Sequence, residues 1–261
     1  MSKFKLEQAF QTVQENKTRA FVAYIMAGDG GLDTLKDKLL FLQEAGVTAV
    51  EVGIPFSDPV ADGPVIQEAG KRALAHGVTL RGVLEHLAIY KDAITIPILL
   101  MTYLNPVFQY GIDSFAADSR KAGVAGVIMP DMPLEEEGAV SEALKQHDLA
   151  LIRLVALTSP EERIANIIEG AEGFVYAVTV KGTTGVRASY AEEVGSYLQR
   201  IKSQSSVPVL AGFGVSSKEQ VEELGQYCDG VIVGSKIVEL FHRGQQEKIK
   251  QLLPETAVQA K

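Results

Sequence analysis

Short apolar runs alternate with longer amphipathic stretches along the whole chain. Eight runs read as strands: Phe21–Ala27, Ala49–Ile54, Ile98–Tyr103, Gly126–Pro130, Ala150–Leu157, Phe174–Val180, Val207–Gly212 and Gly230–Gly234. Most are rich in Val, Ile, Leu and Ala, as strands buried on both faces should be. The stretches between them read as helices. Leu32–Glu44 sets Leu35, Leu39, Leu40 and Leu42 on one broad face, and Ala191–Ile201 sets Val194, Leu198 and Ile201 at helical spacing. Ser141–His147 continues a helix that begins near Leu134. Further helical pieces precede the first strand (Leu6, Ala9, Phe10 and Val13 on one side), double the helix after the second (Ile66–Ala75, then Leu80–Tyr90) and end the chain (Ile237–Leu253). Alternating strands and helices imply right-handed crossovers and a parallel sheet. Eight strands is the number that closes such a sheet. The expected fold is α/β, a single (β/α)8 TIM barrel over residues 1–261 with extra helices. A doubly wound open sheet fits less well, because no G-x-G-x-x-G follows the first strand.

Composition narrows the function. The length of 261 residues suits one barrel. Hydrophobic residues at 46% and charged residues at 22% mark a folded globular chain. A net charge of −8, with no basic run, argues against nucleic acid or an anionic membrane as main partner. The single cysteine, Cys228, fits a reducing compartment, and no apolar signal segment or membrane-length run is seen, so the expected location is cytoplasmic.

In a barrel the loops after the strands form the mouth where chemistry takes place. Side chains alternate along a strand, so in Ala49-Val50-Glu51-Val52-Gly53-Ile54 the residues Val50, Val52 and Ile54 share one face and Glu51 and Gly53 the other. The branched face suits the helix ring, which turns Glu51 into the barrel. A carboxylate there is costly unless paired or protonated, and its pKa should rise into the range useful for acid–base work. A structural reading, Glu51 paired with a core cation, has one strand-borne candidate in Arg153. Asp58 and Asp62 lie in a loop stiffened by Pro55, Pro59 and Pro64. Spacing does not separate acid–base roles for these two from Asx turns or caps for the helix that starts near Pro64.

Gly212-Phe213-Gly214 and Gly234-Ser235 end the seventh and eighth strands, and Gly182-Thr183-Thr184-Gly185 follows the sixth. Glycines let backbone N–H groups approach an anion, a helix N-terminus adds partial positive charge, and barrels often hold phosphate after strands seven and eight. A small phosphate-bearing ligand is therefore expected. His76, His86, His147 and His242 lie on or near helices with no zinc spacing, so no metal is expected, and no P-loop is present. Cys228 reads as a small buried residue.

The stretch from Glu51-Val52-Gly53-Ile54-Pro55-Phe56-Ser57-Asp58 through Pro59-Val60-Ala61-Asp62-Gly63-Pro64 to Gln67 resembles the signature of the tryptophan synthase alpha subunit family. Ala27-Gly28-Asp29, Met101-Thr102-Tyr103-Leu104-Asn105-Pro106, Pro130-Asp131-Met132-Pro133, Gly182-Thr183-Thr184-Gly185 and Gly212-Phe213-Gly214-Val215-Ser216 support it, and the resemblance runs from about Phe4 to Leu253. It implies a lyase that cleaves indole-3-glycerol phosphate to indole and glyceraldehyde 3-phosphate. It assigns catalysis to Glu51 and Asp62, indole contacts to Tyr24, Thr102, Tyr176 and Thr184, and phosphate contacts to Gly185, Gly214, Gly234 and Ser235. It implies an α2β2 complex in which the beta subunit carries pyridoxal phosphate, with no cofactor in this chain. Pro55, Asp58, Asn105, Pro106 and Phe108, read as mouth loops, are the expected partner surface. Met26 stands where some members carry Thr, and Val180-Lys181 where some carry Arg-Ser. The rivals are another phosphosugar-binding barrel enzyme of amino-acid biosynthesis and a mainly regulatory partner subunit.

Overall fold

The computed structural model describes residues 2–179, 187–212 and 214–254. Helix α1 (Ser2–Glu15) precedes strand β1 (Ala20–Met26), and α2 (Leu35–Ala45) leads to β2 (Ala49–Gly53). Two helices, α3 (Pro64–Ala75) and α4 (Leu80–Tyr90), lead to β3 (Ile98–Met101), and two more, α5 (Leu104–Tyr110) and α6 (Ile112–Lys121), to β4 (Val124–Ile128). Then come α7 (Gly138–Gln146), β5 (Ala150–Ala156), α8 (Glu161–Ile168), β6 (Val175–Val178), α9 (Arg187–Gln204), β7 (Val209–Gly212), α10 (Lys218–Leu224), β8 (Gly230–Val233) and α11 (Ser235–His242). The strands close in sequence order, with β8 beside β1, and every pair is parallel. This is the expected eight-stranded barrel.

Hydrophobic burial on both faces of the sheet holds it together. Val50 and Val52 are fully buried on one face of β2, and Glu51 is fully buried on the other. Phe21, Phe115 and Phe174 are among the largest side chains with no exposure. The register sets Glu51 directly between Tyr24 of β1 and Leu99 of β3. The interior layer around the carboxyl is therefore chosen by strand pairing.

Several boundaries differ from expectation for local reasons. Asn105 and Pro106 lie in α5 rather than in a loop. Pro106 is the third residue of that helix, where its missing N–H costs no helical hydrogen bond. The helix expected from Leu134 breaks into a 3-10 turn at Leu134–Glu136 and then α7, which starts at Gly138, a poor helix former. The last helix is split after His242, where Gly244 takes φ +65, and resumes as a 3-10 segment at Gln246–Leu252. Helix α8 escaped the pattern reading, although Ile164, Ile167 and Ile168 mark its buried face.

Candidate active site

A cavity of about 290 Å³ opens at the C-terminal end of the barrel, at the low end of the ~300–1,000 Å³ usual for small-molecule sites. Glu51, Asp62, Tyr24 and Tyr176 line its deep end with Met101, Ile66 and Ile232. Gly214, Val215, Ser216, Gly234 and Ser235 line the opposite end.

Glu51 has no exposed surface, and neither of its carboxyl oxygens has a hydrogen-bond partner among the described residues. Burial, reinforced by the charge of nearby Asp62, pushes its pKa up to about 8. The carboxyl is therefore protonated near neutrality and ready to donate. The core-cation reading fails. Arg153 points away to the helix layer, where Nε donates to Glu137 at 3.0 Å and Nη1 to the Ile167 carbonyl at 3.1 Å.

The structure separates the two aspartates that spacing left equal. Asp62 is half-buried in the cavity wall, and burial raises its pKa to about 6, opposed by polar contact with the Tyr103 hydroxyl. Asp58 is exposed and bonded to the neighbouring Ser57 hydroxyl at 2.6 Å. Neither caps α3. Its N-cap is Gly63, with no side-chain cap, and Pro64 opens the helix. A second tether holds this region. Arg72 on α3 binds Asp29 with both ends of its fork, Nε to Oδ1 at 2.7 Å and Nη2 to Oδ2 at 2.8 Å. That bidentate pair fixes the loop after β1 against the helix that follows Asp62.

Tyr24 and Tyr176 reach the cavity by the same device. A Cβ at Gly53 would lie 2.0 Å from the Tyr24 hydroxyl, and one at Gly212 would lie 2.3 Å from Tyr176 Cε1. Each ring thus lies across a glycine that ends the neighbouring strand. Thr102 behaves otherwise. It is buried, its hydroxyl donates to the Tyr103 carbonyl at 3.3 Å, and Met101 occupies the cavity wall instead. Strand alternation explains this, because Leu99 and Met101 share the face of Glu51 and the residue that follows, Thr102, falls on the other. Tyr103 itself was missed in the sequence, although the same alternation reaches it.

At the far end, Gly214 has φ +81 and Gly234 is the N-cap of α11 with no side-chain cap. Ser235 is the first residue of that helix. Uncapped N–H groups at a helix start that lines a cavity can seat an anion. Thr184 and Gly185 lie outside the described residues, as does Phe213.

Of the expected partner surface, Asp58, Asn105 and Phe108 are exposed, Phe108 by 56%, and Pro106 is partly so. Pro55, expected on that surface, is buried instead: Ile54 N–H bonds the Met101 carbonyl at 2.8 Å and extends the β2–β3 pairing up to it. The four histidines lie on helices or at their ends, and Cys228 is buried with its thiol donating to the Leu224 carbonyl. Among the described residues no group of three metal-ligating side chains comes together, and no helix is long and apolar enough to cross a membrane.

Known proteins match both chain and fold. The family model described as tryptophan synthase alpha chain matches residues 10–261. The tryptophan synthase alpha chain of Oceanobacillus iheyensis is 53% identical over 256 residues, covering 98% of each chain, and that of Bacillus cereus is 52% identical over 249 residues, covering 95% of each. The crystal structure of tryptophan synthase subunit alpha from Legionella pneumophila superposes with a TM-score of 0.85 at 34% identity, covering 98% of this chain and 97% of that one. On sequence and fold together, the chain belongs to the tryptophan synthase alpha chain family, the lyases that cleave indole-3-glycerol phosphate in tryptophan biosynthesis.

Proposed function

We propose that Glu51 and Asp62 carry out the family's cleavage of indole-3-glycerol phosphate to indole and glyceraldehyde 3-phosphate. The observation that carries this reading is Glu51, a fully buried carboxyl whose two oxygens have no partner among the described residues and which faces a cavity shared with Asp62. Indole is a poor leaving group while its ring is aromatic. Glu51, protonated near neutrality, gives its proton to ring carbon C3, and the ring becomes an indoleninium. Asp62, with a pKa near 6, is mostly ionised at pH 7 and accepts the ring N–H, which stabilises the positive charge on nitrogen. The C=N⁺ then takes the electron pair of the breaking C–C bond as Glu51, now a carboxylate, removes the proton of the glycerol hydroxyl next to that bond. The hydroxyl carbon becomes the aldehyde, indole leaves, and Glu51 is protonated again.

The substrate phosphate sits in this reading at Gly214, Gly234 and Ser235, and the resemblance adds Gly185. Tyr24 and Tyr176 flank the indole. Thr184 is assigned there by the resemblance alone. Held phosphate and ring supply the orientation that lets one carboxyl act twice.

The family works with a beta subunit. We place this chain in a cytoplasmic α2β2 complex in which indole passes to that subunit. The pyridoxal phosphate of the second step belongs to the beta subunit, since the steps assigned to Glu51 and Asp62 use no cofactor. Exposed Asp58, Asn105 and Phe108, with Pro106, form the docking rim, and Val60, 83% exposed, extends it. The test is indole release from indole-3-glycerol phosphate, alone and with a beta subunit. Activity alone that rises on adding the beta subunit supports both parts. No release in either case overturns the assignment.

A further inference from the structure

Tyr103 grips the loop that carries Asp62 at several points. Its hydroxyl accepts a hydrogen bond from Ala61 N–H at 3.0 Å and faces the Asp62 carboxylate. Its ring packs on Phe56, with centroids 5.2 Å apart and planes at 32°. The side chain is almost wholly buried. Other hydrogen bonds of this loop are local: Val60 N–H to the Asp58 carbonyl, Asp62 N–H to the Pro59 carbonyl and the Gln67 amide to the Asp62 carbonyl. The bond from Ala61 to Tyr103 spans 42 positions and connects the loop to another strand end.

Tyr103 is itself anchored from behind. It is the N-cap of α5, in extended conformation, and cannot cap that helix with its side chain. Asp131, from the loop after β4, does so instead, accepting from Leu104 N–H at 3.0 and 3.1 Å. A carboxylate at a helix start is favourable and stiffens the first turn. The phenol therefore stands on a capped helix end and reaches across to the Asp62 loop.

We propose that Tyr103 is a positioning residue for the cleavage reaction, holding the Asp62 loop through Ala61 and Phe56 and setting the Asp62 carboxylate against the substrate ring N–H. The inference rests on the reading of Asp62 given above. Tyr103 does not exchange a proton. Its hydroxyl fixes where the charge of Asp62 lies and favours the ionised form. Losing that contact has a defined sign. Polar contact with Tyr103 lowers the Asp62 pKa, so removing it raises that pKa, and the ionised form is lost at a higher pH.

The experiment compares Tyr103→Phe with Phe56→Leu in the full chain, measuring steady-state cleavage against pH and binding of a non-cleavable indolyl phosphate. Tyr103→Phe keeps the ring and removes one oxygen, so the fold should hold. We expect kcat to fall about 10-fold, the weight of one or two hydrogen bonds, with KM changed less than about 3-fold. The acidic limb of kcat/KM, which reports the free enzyme, should move up by about half a pH unit or more. Phe56→Leu loosens the loop but keeps the hydroxyl, so it should lower kcat less and leave the acidic limb in place. Unchanged kcat and an unchanged acidic limb in Tyr103→Phe, with Asp62→Asn impaired, would overturn the role of Tyr103 alone. Near-normal turnover of Asp62→Asn would overturn the Asp62 reading and this inference with it.

Discussion

The two ends of the cavity are built by opposite means. The deep end uses side chains, two carboxyls and two phenols set on strands and on a tethered loop. The far end uses backbone, glycines and the open start of α11. No lysine or arginine lines either end among the described residues, and Lys236, next to the anion seat, turns to Glu239 at 3.2 Å. In the proposed reading the phosphate therefore meets backbone dipoles at Gly214, Gly234 and Ser235. The carboxyl stays protonated because it is buried, and the charge on nearby Asp62 reinforces this. In the proposed reading, proton chemistry thus rests on buried side chains and anion binding on backbone.

This contrast breaks most sharply at Glu51. Glu51→Gln is expected to lower indole release by at least about 10³-fold while an indolyl phosphate analogue still binds, because both proton transfers are lost. Retained turnover in that variant would remove the deep end from the mechanism. Asp62→Asn comes next, with kcat down about 10²-fold. Asp58→Asn, in the same loop but facing solvent, should stay within about 2-fold for the chain assayed alone. Equal effects of the two would mean that the loop acts as a structural unit and not through one carboxylate.

The far end is tested by Ser235→Asp. A new anion at the helix start should raise KM about 30-fold through repulsion of the phosphate and change kcat little. A fall in kcat with constant KM would deny the separation of the two ends.

The smallest effect concerns stability. Glu51 holds its proton more tightly folded, at about 8, than the ordinary carboxyl value of 4.5. Its contribution is therefore fully present below pH 4.5 and is lost as pH rises through 8. Glu51→Gln should remove that loss and unfold later than the native chain at pH 9, by about 1–2 kcal/mol, but not at pH 4. Urea denaturation at the two pH values measures it. A pH-independent difference would mean that burial does not perturb this carboxyl.

The period of two along β2 aimed Glu51 inward without any knowledge of the barrel. The same period, followed from Leu99 through Met101, aims Tyr103 inward and Thr102 away. The resemblance had put Thr102 at the indole, and packing gave that wall to Met101. The aspartates were not legible in the same way. Asp58 and Asp62 sit in an irregular loop where no period applies, and only the folded path of the chain turns one to solvent and the other to Glu51. Pro55 and Pro106 misled for a related reason. Proline marks a break in a sequence, yet one is buried beneath the loop and the other sits in the first turn of a helix.

Sequence alone determined the eight strands, their closure into a barrel and the direction of Glu51, because strand and helix periods are local and the residues on each face are fixed by geometry within a few positions. The family, too, was written in contiguous residues. Tertiary structure decided what burial and distance decide. It left both oxygens of Glu51 without a partner among the described residues, turned Asp62 to the cavity and Asp58 to solvent, laid Tyr24 and Tyr176 across glycines of neighbouring strands and joined Tyr103 to Ala61 across 42 positions. Those relations cross between elements far apart in the chain, and no local period encodes them.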